Sequence, residues 1–176
     1  SSCTPYSSFS DYEPIVDPTK TNLSIQDMVT NIKLIRDEFT IPNKNALGQL
    51  MFISAYIGSF NGTEFLGSAN NFTNLNLTSS WGGGNSYLTK KYFCGKNSAS
   101  TLPYAVFDDV TKNFEMLGKY LKNYVFSSGV KENDTDTLTN LWIKHVANKG
   151  TQVDINFDIQ YIKEKVEKAL ILYNQL

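Results

Sequence analysis

Glu64 is the residue whose type and position best suit acid–base chemistry. It is the only carboxylate between Glu38 and Asp108, and it follows a long apolar segment and precedes the polar stretch Ala69-Asn70-Asn71-Phe72. Burial in such surroundings disfavours the charged form of a carboxyl group and can keep it protonated near neutral pH. We therefore predict that any catalytic activity of this chain uses Glu64 as a general acid.

A second carboxyl group is harder to find. Hydrolysis of a glycosidic bond usually needs a protonated donor and an ionised base or nucleophile, about 5–5.5 Å apart in retaining enzymes and about 6.5–9.5 Å apart in inverting ones. Residues 65–107 contain no Asp or Glu, and Asp108 and Asp109 lie where helix capping explains them. A single-Glu mechanism, in which a hydroxyl or acetamido group of the substrate is the nucleophile, stays open.

Other chemistries have weaker support in the residue types. His145 is the only histidine and has no cysteine or acidic cluster around it, so we expect no metal site and no cofactor. The stretch Trp81-Gly82-Gly83-Gly84-Asn85 lacks the lysine of a phosphate-binding loop. Cys94 and His145 have the residue types of a thiol nucleophile and its base, but their spacing does not identify a site. Cys3 and Cys94 are either joined in a disulfide or free thiols.

Length and charge limit the class of protein and its partners. The 176 residues, 41% of them hydrophobic, are enough for one sizeable core but not for two. Sixteen basic residues balance 17 acidic ones without a basic cluster, so nucleic acid is not an expected partner. No apolar run approaches the roughly 20 residues that cross a bilayer, so we expect no membrane span.

The apolar periodicity predicts a mostly helical domain. Residues 1–20 hold three of the five prolines and have no periodicity, so we interpret them as an extended N-terminal arm before a single domain over 21–176. Apolar positions at helical spacing predict five helices: one opened by Ser24, a buried one after Pro42-Asn43, one capped by Asp108 and stopped by Gly129, one from about Leu138 to near Gly150, and one from Asp158 to Tyr173.

The segment between the second and third helices has a different character. Residues 58–101 are rich in Gly, Asn, Ser and Thr, which predicts a loop lobe with at most one short β-hairpin, where a helical domain would place a ligand groove. Aromatic rings that stack on sugars and amides that bind them are present in and near this lobe: Asn70, Asn71, Phe72, Trp81, Tyr87, Tyr92 and Tyr104. The plainer alternatives are a small satellite core for the aromatic residues and a turn for the asparagine pair.

Five short motifs follow one another in order between residues 45 and 173. They are a buried helix beginning Asn45-Ala46-Leu47-Gly48-Gln49, an Asn-Asn-Phe turn at 70–72, a Gly-rich loop, the segment 102–109 leading into a helix, and a helix start at Asp158-Ile159. Together they resemble the glucosaminidase family of peptidoglycan hydrolases, which has a lysozyme-like fold. The resemblance implies a predominantly α domain with a loop and short β-hairpin lobe after the second helix. It also implies bacterial cell-wall glycan as the partner and an extracellular or virion-associated location.

The sequence departs from that family at its catalytic position. The family's general acid begins a Glu-Ser-Gly-Trp-Gly-like stretch at the end of the buried helix, whereas the corresponding residues here, Ile53 to Gly58, contain no carboxylate. Glu64 takes the role only if the helix end is lengthened by several residues.

Two functional hypotheses follow from this departure. In the first, the chain is a degenerate module that binds glycan or has a structural role in a phage particle or surface assembly, where residues 1–20 dock on a neighbouring protein. In the second, it is an active peptidoglycan glycosidase, that is, a glucosaminidase, muramidase or lytic transglycosylase, with Glu64 as general acid. We favour the first because the missing acids are observed directly in the sequence.

Overall fold

The computed structural model describes residues 3–59, 66–77, 81, 84–94, 103–129, 132–147 and 158–176. Of these residues 58% are helical, so the predicted predominantly α class is confirmed. The described α-helices are α1 (Ile25–Asp37), α2 (Lys44–Gly58), α3 (Val110–Tyr124), α4 (Thr135–Trp142) and α5 (Ile159–Gln175). The described strands are β1 (Glu13–Pro14), β2 (Lys20–Asn22), β3 (Leu66–Ser68), β4 (Lys91–Phe93) and β5 (Tyr104–Ala105).

Helix α2 lies at the centre of the domain because its surface is apolar on almost every side. Every residue from Ala46 to Tyr56 is buried, and helices α1, α3, α4 and α5 all pack against α2. Each large apolar side chain buried in this way contributes roughly 1.5–3 kcal/mol to stability. The prediction that the second helix is a buried central one is confirmed.

Side-chain caps begin four of the five described α-helices. The capping oxygens accept hydrogen bonds from backbone N–H groups two or three residues further on, and they belong to Ser24, Asp109, Asp134 and Asp158. The predicted cap of α3 was wrong by one residue, since Asp109 rather than Asp108 makes the bond. The predicted stop at Gly129 instead ends a 3-10 turn, Phe126–Ser128, that follows α3, and Gly129 has a left-handed φ of 86° there.

The described part of the N-terminal arm, residues 3–20, contacts the rest of the chain at several points. Cys3 forms a disulfide with Cys94, and Phe9 is buried in the core. Strand β1 pairs in parallel with β4, which pairs antiparallel with β5, and β2 pairs antiparallel with β3. Strands of two or three residues are too short to show an alternating pattern, which is why the sequence predicted at most one short hairpin and did not predict the strand pairing of the arm.

Candidate functional site

Asn71, a predicted sugar-binding residue, is buried inside the irregular lobe, by which we mean the described residues from 66 to 109. Its amide Nδ2 donates to the backbone oxygens of Leu75 and Ala105, at 2.9 and 3.0 Å. Its Oδ1 accepts the backbone N–H of Leu75 at 2.9 Å. The side chain therefore extends the backbone pairing between residues 75–77 and 103–105, and only 3% of Asn71 is exposed.

Asn70 forms the turn that precedes Asn71. Both Ala69 and Asn70 have left-handed backbone angles, with φ of 57° and 59°, a conformation that Asn tolerates better than most residues. The Oδ1 of Asn70 accepts the Thr21 hydroxyl at 2.7 Å, and its Nδ2 donates to the backbone oxygen of Phe107 at 3.0 Å. The turn at Asn70 thus joins β2 to the lobe, and the turn alternative accounts for the asparagine pair.

Phe72 and Trp81 belong to the hydrophobic core. Phe72 has no exposed surface, and its ring centroid lies 6.5 Å from that of Phe114. Trp81 is 1% exposed, donates its Nε1–H to the backbone oxygen of Asn76 at 2.8 Å, and packs edge-to-face against Tyr120. Neither ring offers an open face to a sugar in this structure, so the packing alternative accounts for both.

Tyr92 and Tyr104 are half-buried and lie on adjacent strands. The register of β4 and β5 pairs Tyr92 with Ala105 and Phe93 with Tyr104. Directly opposed residues share a face of a sheet and successive residues alternate, so Tyr92 and Tyr104 lie on opposite faces. Tyr104 stacks on Phe93, with ring centroids 5.2 Å apart. The two tyrosines are therefore not brought together in one groove.

Glu64 lies outside the described residues, whereas the end of α2, where the resemblance implies an acid, is described. The Oγ of Ser59 donates to the backbone oxygen of Phe72, and the Nδ2 of Asn74 donates to the backbone oxygen of Gly58, both at 2.9 Å. Both of these hydrogen bonds at the end of α2 are therefore made by neutral side chains. Residues 56–59 include no carboxylate.

A cavity of about 580 Å³ lies at the N-terminal end of α2, and we call it the amide cavity. Its volume is within the roughly 300–1,000 Å³ of small-molecule sites. Its described lining combines amide groups with apolar surface: Ile41, Pro42, Asn43, Asn45, Ala46, Phe126, Ser127, Gly129 and Asn133. None of these described lining residues is ionisable.

The hydrogen-bonding groups around the amide cavity are only partly engaged. Helix α2 has no side-chain cap and no acidic residue in its first turn, so N–H groups of that turn lack an intrahelical partner. The Oδ1 of Asn43 is buried without a partner. Asn133 donates to the Oε1 of Gln49 at 3.3 Å, and the Oδ1 of Asn45 accepts from Arg36 at 3.4 Å. Sequence reasoning missed this cavity, although the absence of a capping acid after Pro42-Asn43 was a visible signal.

Tyr87 lines a second pocket, of about 280 Å³, which we call the charged pocket. It lies between the C-terminal end of α1, Tyr87 and one face of α3, and its described lining is Ile35, Glu38, Phe39, Tyr87, Glu115, Lys119 and Lys122. Burial, the Glu115 carboxylate that accepts the Tyr87 hydroxyl, and the charge of Glu38 raise the pKa of Tyr87. Tyr87 therefore stays protonated and acts as a donor. It is the one predicted sugar-binding residue that lines either of these two cavities.

Two further findings concern the described residues only. No group of three or more His, Cys, Asp or Glu side chains in this part of the chain is arranged to hold a metal ion. In the same part of the chain, no helix combines the length and the apolar character needed to cross a membrane.

Comparison with protein-family models, curated proteins and solved structures gave no match to this chain. A function for it therefore rests on the chemistry of its own cavities.

Proposed function

We propose that this chain is a lysozyme-like domain that binds cell-wall glycan without cleaving it, as part of a surface or virion assembly. The observation that carries the proposal is the amide cavity, whose described lining has polar groups and apolar surface but no ionisable side chain. Glycoside hydrolysis needs a carboxyl group to protonate the leaving oxygen. The described lining can hold a sugar and includes no carboxyl group that performs this step.

The cavity lining is complementary to an N-acetylated sugar. The amides of Asn45 and Asn133 provide donors and acceptors for ring hydroxyls and for the acetamido group. Unpaired N–H groups in the first turn of α2 favour an acceptor such as the acetamido oxygen. Phe126 and Ile41 supply apolar surface for the ring face. Each contact is neutral, so we expect binding to depend only weakly on salt.

Three of the predicted sugar-binding residues are buried, so the proposal assigns glycan binding to the amide cavity and not to the lobe. Asn71, Phe72 and Trp81 are buried, so those side chains hold the lobe together and are not presented to a polymer. The described part of the lobe before Asp108 contains no carboxylate. A chain that kept the scaffold and lost the acid–base pair is expected to bind glycan and leave it intact.

The disulfide between Cys3 and Cys94 supports an extracellular or virion-associated location. Disulfides form and persist in oxidising environments and are rare where thiols are kept reduced. The described arm packs against its own domain through Phe9 and β1. A neighbouring protein in the assembly would therefore bind the outer side of this arm.

Co-sedimentation with purified, insoluble peptidoglycan tests the proposal. The matched pair of variants is Asn45→Ala with Asn133→Ala, which removes two exposed amides of the cavity, and Asn140→Ala, which removes one exposed amide on α4. We expect the unmodified chain and Asn140→Ala to sediment with the polymer. Loss of two hydrogen bonds in the double variant should weaken binding by about tenfold or more.

Reducing ends released during the same incubation test the absence of cleavage. We expect release at background level from both the unmodified chain and a Glu64→Gln variant. Release from the unmodified chain that Glu64→Gln abolishes would establish the second hypothesis, an active peptidoglycan glycosidase with Glu64 as general acid. Absence of sedimentation, or equal sedimentation of the cavity double variant, would contradict glycan binding at this site.

A further inference from the structure

The charged pocket brings two acids and two bases together without pairing them. Glu38, Glu115, Lys119 and Lys122 all line it, and none of them is in an ion pair within 4.0 Å in the described part of the chain, where the ion pairs involve other groups. Glu115 and Lys119 are four residues apart on α3, a spacing at which opposite charges can pair but often do not at the surface. Burial and the charge of Glu115 raise the pKa of the neighbouring Tyr87.

The charges on the α3 wall are separated along the helix. Glu115, Lys119 and Lys122 have the spacing i, i+4 and i+7, which places them on one face of α3. With a rise of 1.5 Å per residue, the two lysines lie about 6 and 10 Å further along the axis than Glu115. Helices α1 and α3 run in the same direction, because Asn31 bonds to Thr111 and the ring of Phe39 lies under Lys122. Glu38, next to Phe39, therefore lies toward the lysines. The charge separation of the pocket is thus between Glu115 at one end and Lys122 at the other.

Apolar surface completes the pocket. Ile35 is 4% exposed and lines it together with the half-buried ring of Phe39. The ammonium group of Lys122 lies 5.9 Å from the centroid of that ring, over its face. This leaves an apolar wall next to groups of both charges, which suits a ligand with a short hydrocarbon chain.

We infer that the charged pocket is a binding site for a small zwitterion, a molecule that has an ammonium group at one end of a short apolar chain and a carboxylate group at the other, as ω-amino acids do. The ammonium group binds at Glu115, and the carboxylate binds at Lys119 and Lys122. A purely anionic ligand would be repelled by the two glutamates, and a purely cationic one by the two lysines. This inference is independent of glycan binding, because the amide cavity is lined by different residues.

Titration of the isotope-labelled full chain with 6-aminohexanoate, followed by NMR, tests the inference. Hexanoate and hexylammonium are the matched ligands, because each has the same carbon chain and only one of the two charges. We expect saturable shifts at the backbone amides of Tyr87, Glu115 and Lys119 with 6-aminohexanoate, and at least about tenfold weaker binding of the other two. Equal binding of all three ligands, or no shifts with 6-aminohexanoate, would overturn the inference.

Charge-removing variants test the role of the named groups. Glu115→Gln and Lys122→Gln each keep the size of the side chain, and we expect each to weaken 6-aminohexanoate binding by about tenfold. Lys168→Gln, which changes an exposed residue of α5, serves as the control and should bind as the unmodified chain does. The NMR spectrum of each free variant reports whether its fold is kept. Unchanged affinity in a folded Glu115→Gln variant would exclude the proposed site.

Discussion

The helices and the irregular lobe stabilise their backbones by different means. In α2 the backbone is paired within the helix, and stability comes from burying its apolar side chains. In the lobe, amide side chains provide many of the backbone's partners: Asn71 makes three such bonds and Asn70 makes two. At these positions, asparagine side chains of this Asn-rich chain therefore stabilise the fold by bonding to the backbone.

One asparagine of the helical part joins the two regions. Asn113, fully buried on α3, accepts the backbone N–H of Phe72 and donates to the Thr73 hydroxyl, at 3.0 and 2.9 Å. The lobe is thereby attached to the helices by an amide as well as by the rings of Phe72 and Phe114. A polar side chain that is fully satisfied in a core specifies one arrangement of the groups around it.

Removal of an aromatic ring from the core should have the largest effect on stability and should destabilise the whole domain. Phe52 is fully buried on α2, between Tyr56 and Tyr173, with ring centroids 6.1 and 5.8 Å away. We expect Phe52→Ala to lower the free energy of unfolding by about 3–5 kcal/mol, measured by urea denaturation. Leu34→Ala, which changes a residue that is 66% exposed on α1, should change it by less than about 0.5 kcal/mol. A loss below 1 kcal/mol for Phe52→Ala would contradict the central place of α2.

Removal of the disulfide should have the next largest effect on stability, and it should loosen mainly the arm and the lobe. Cys3 and Cys94 are 91 residues apart, and opening a loop of that length is expected to cost about 2–4 kcal/mol. We expect a Cys3→Ser, Cys94→Ser double variant to show this loss in urea denaturation. In hydrogen exchange, amides of β1 and β4 should lose protection while those of α2 keep it. An equal loss of protection in α2 would mean that the disulfide stabilises the helices as much as it stabilises the arm and the lobe.

The helices could be predicted from the sequence because their determinants are local. The apolar spacing of α1 and α5 and the caps at Ser24 and Asp158 lie within the segments that they organise. The error at Asp108 arose because two adjacent aspartates are equally good caps in a sequence, and only the backbone conformation selects Asp109.

The lobe and the cavities could not be predicted because their determinants are distant in the chain. Asn71 bonds to Ala105, 34 residues away, and β1 pairs with β4 across a much larger gap in sequence, Glu13 with Lys91. The sequence shows an asparagine as a polar residue, but only the fold shows that its amide points inward. The same holds for the charged pocket, since Glu38 and Glu115 come from different helices.

Removal of one lobe amide should have a smaller effect than removal of a core ring. Asn71→Ala leaves the N–H of Leu75 and the carbonyl group of Ala105 without the partner that Asn71 provides, whereas the Leu75 oxygen keeps the Ala105 N–H. We expect a loss of about 2–3 kcal/mol in the free energy of unfolding. Asn85→Ala, which changes an exposed residue of the same lobe, should be close to neutral. Near-neutral behaviour of Asn71→Ala would show that packing rather than amide bonding holds the lobe.

The smallest expected effect is a dependence of the free energy of unfolding on pH, which arises at a helix cap. Asp134, which caps α4, accepts the backbone N–H and the hydroxyl of Thr137, at 2.9 and 2.8 Å. These hydrogen bonds lower the pKa of Asp134 below its ordinary value of 3.8. A group whose pKa is lowered by folding stabilises the native state above its unfolded pKa, and this contribution is lost as the pH falls through the folded pKa.

Asp134→Asn separates this contribution from those of the other acids, because Asn caps a helix comparably but does not titrate. The difference in free energy of unfolding between the unmodified chain and this variant should be constant above about pH 5 and should shift in favour of the variant below about pH 4. Urea denaturation between pH 3 and 7 measures this difference. Asn71→Ala removes only neutral bonds, so its difference from the unmodified chain should stay constant over the same range. A pH-dependent difference for Asn71→Ala would mean that the lobe, too, depends on an ionised group.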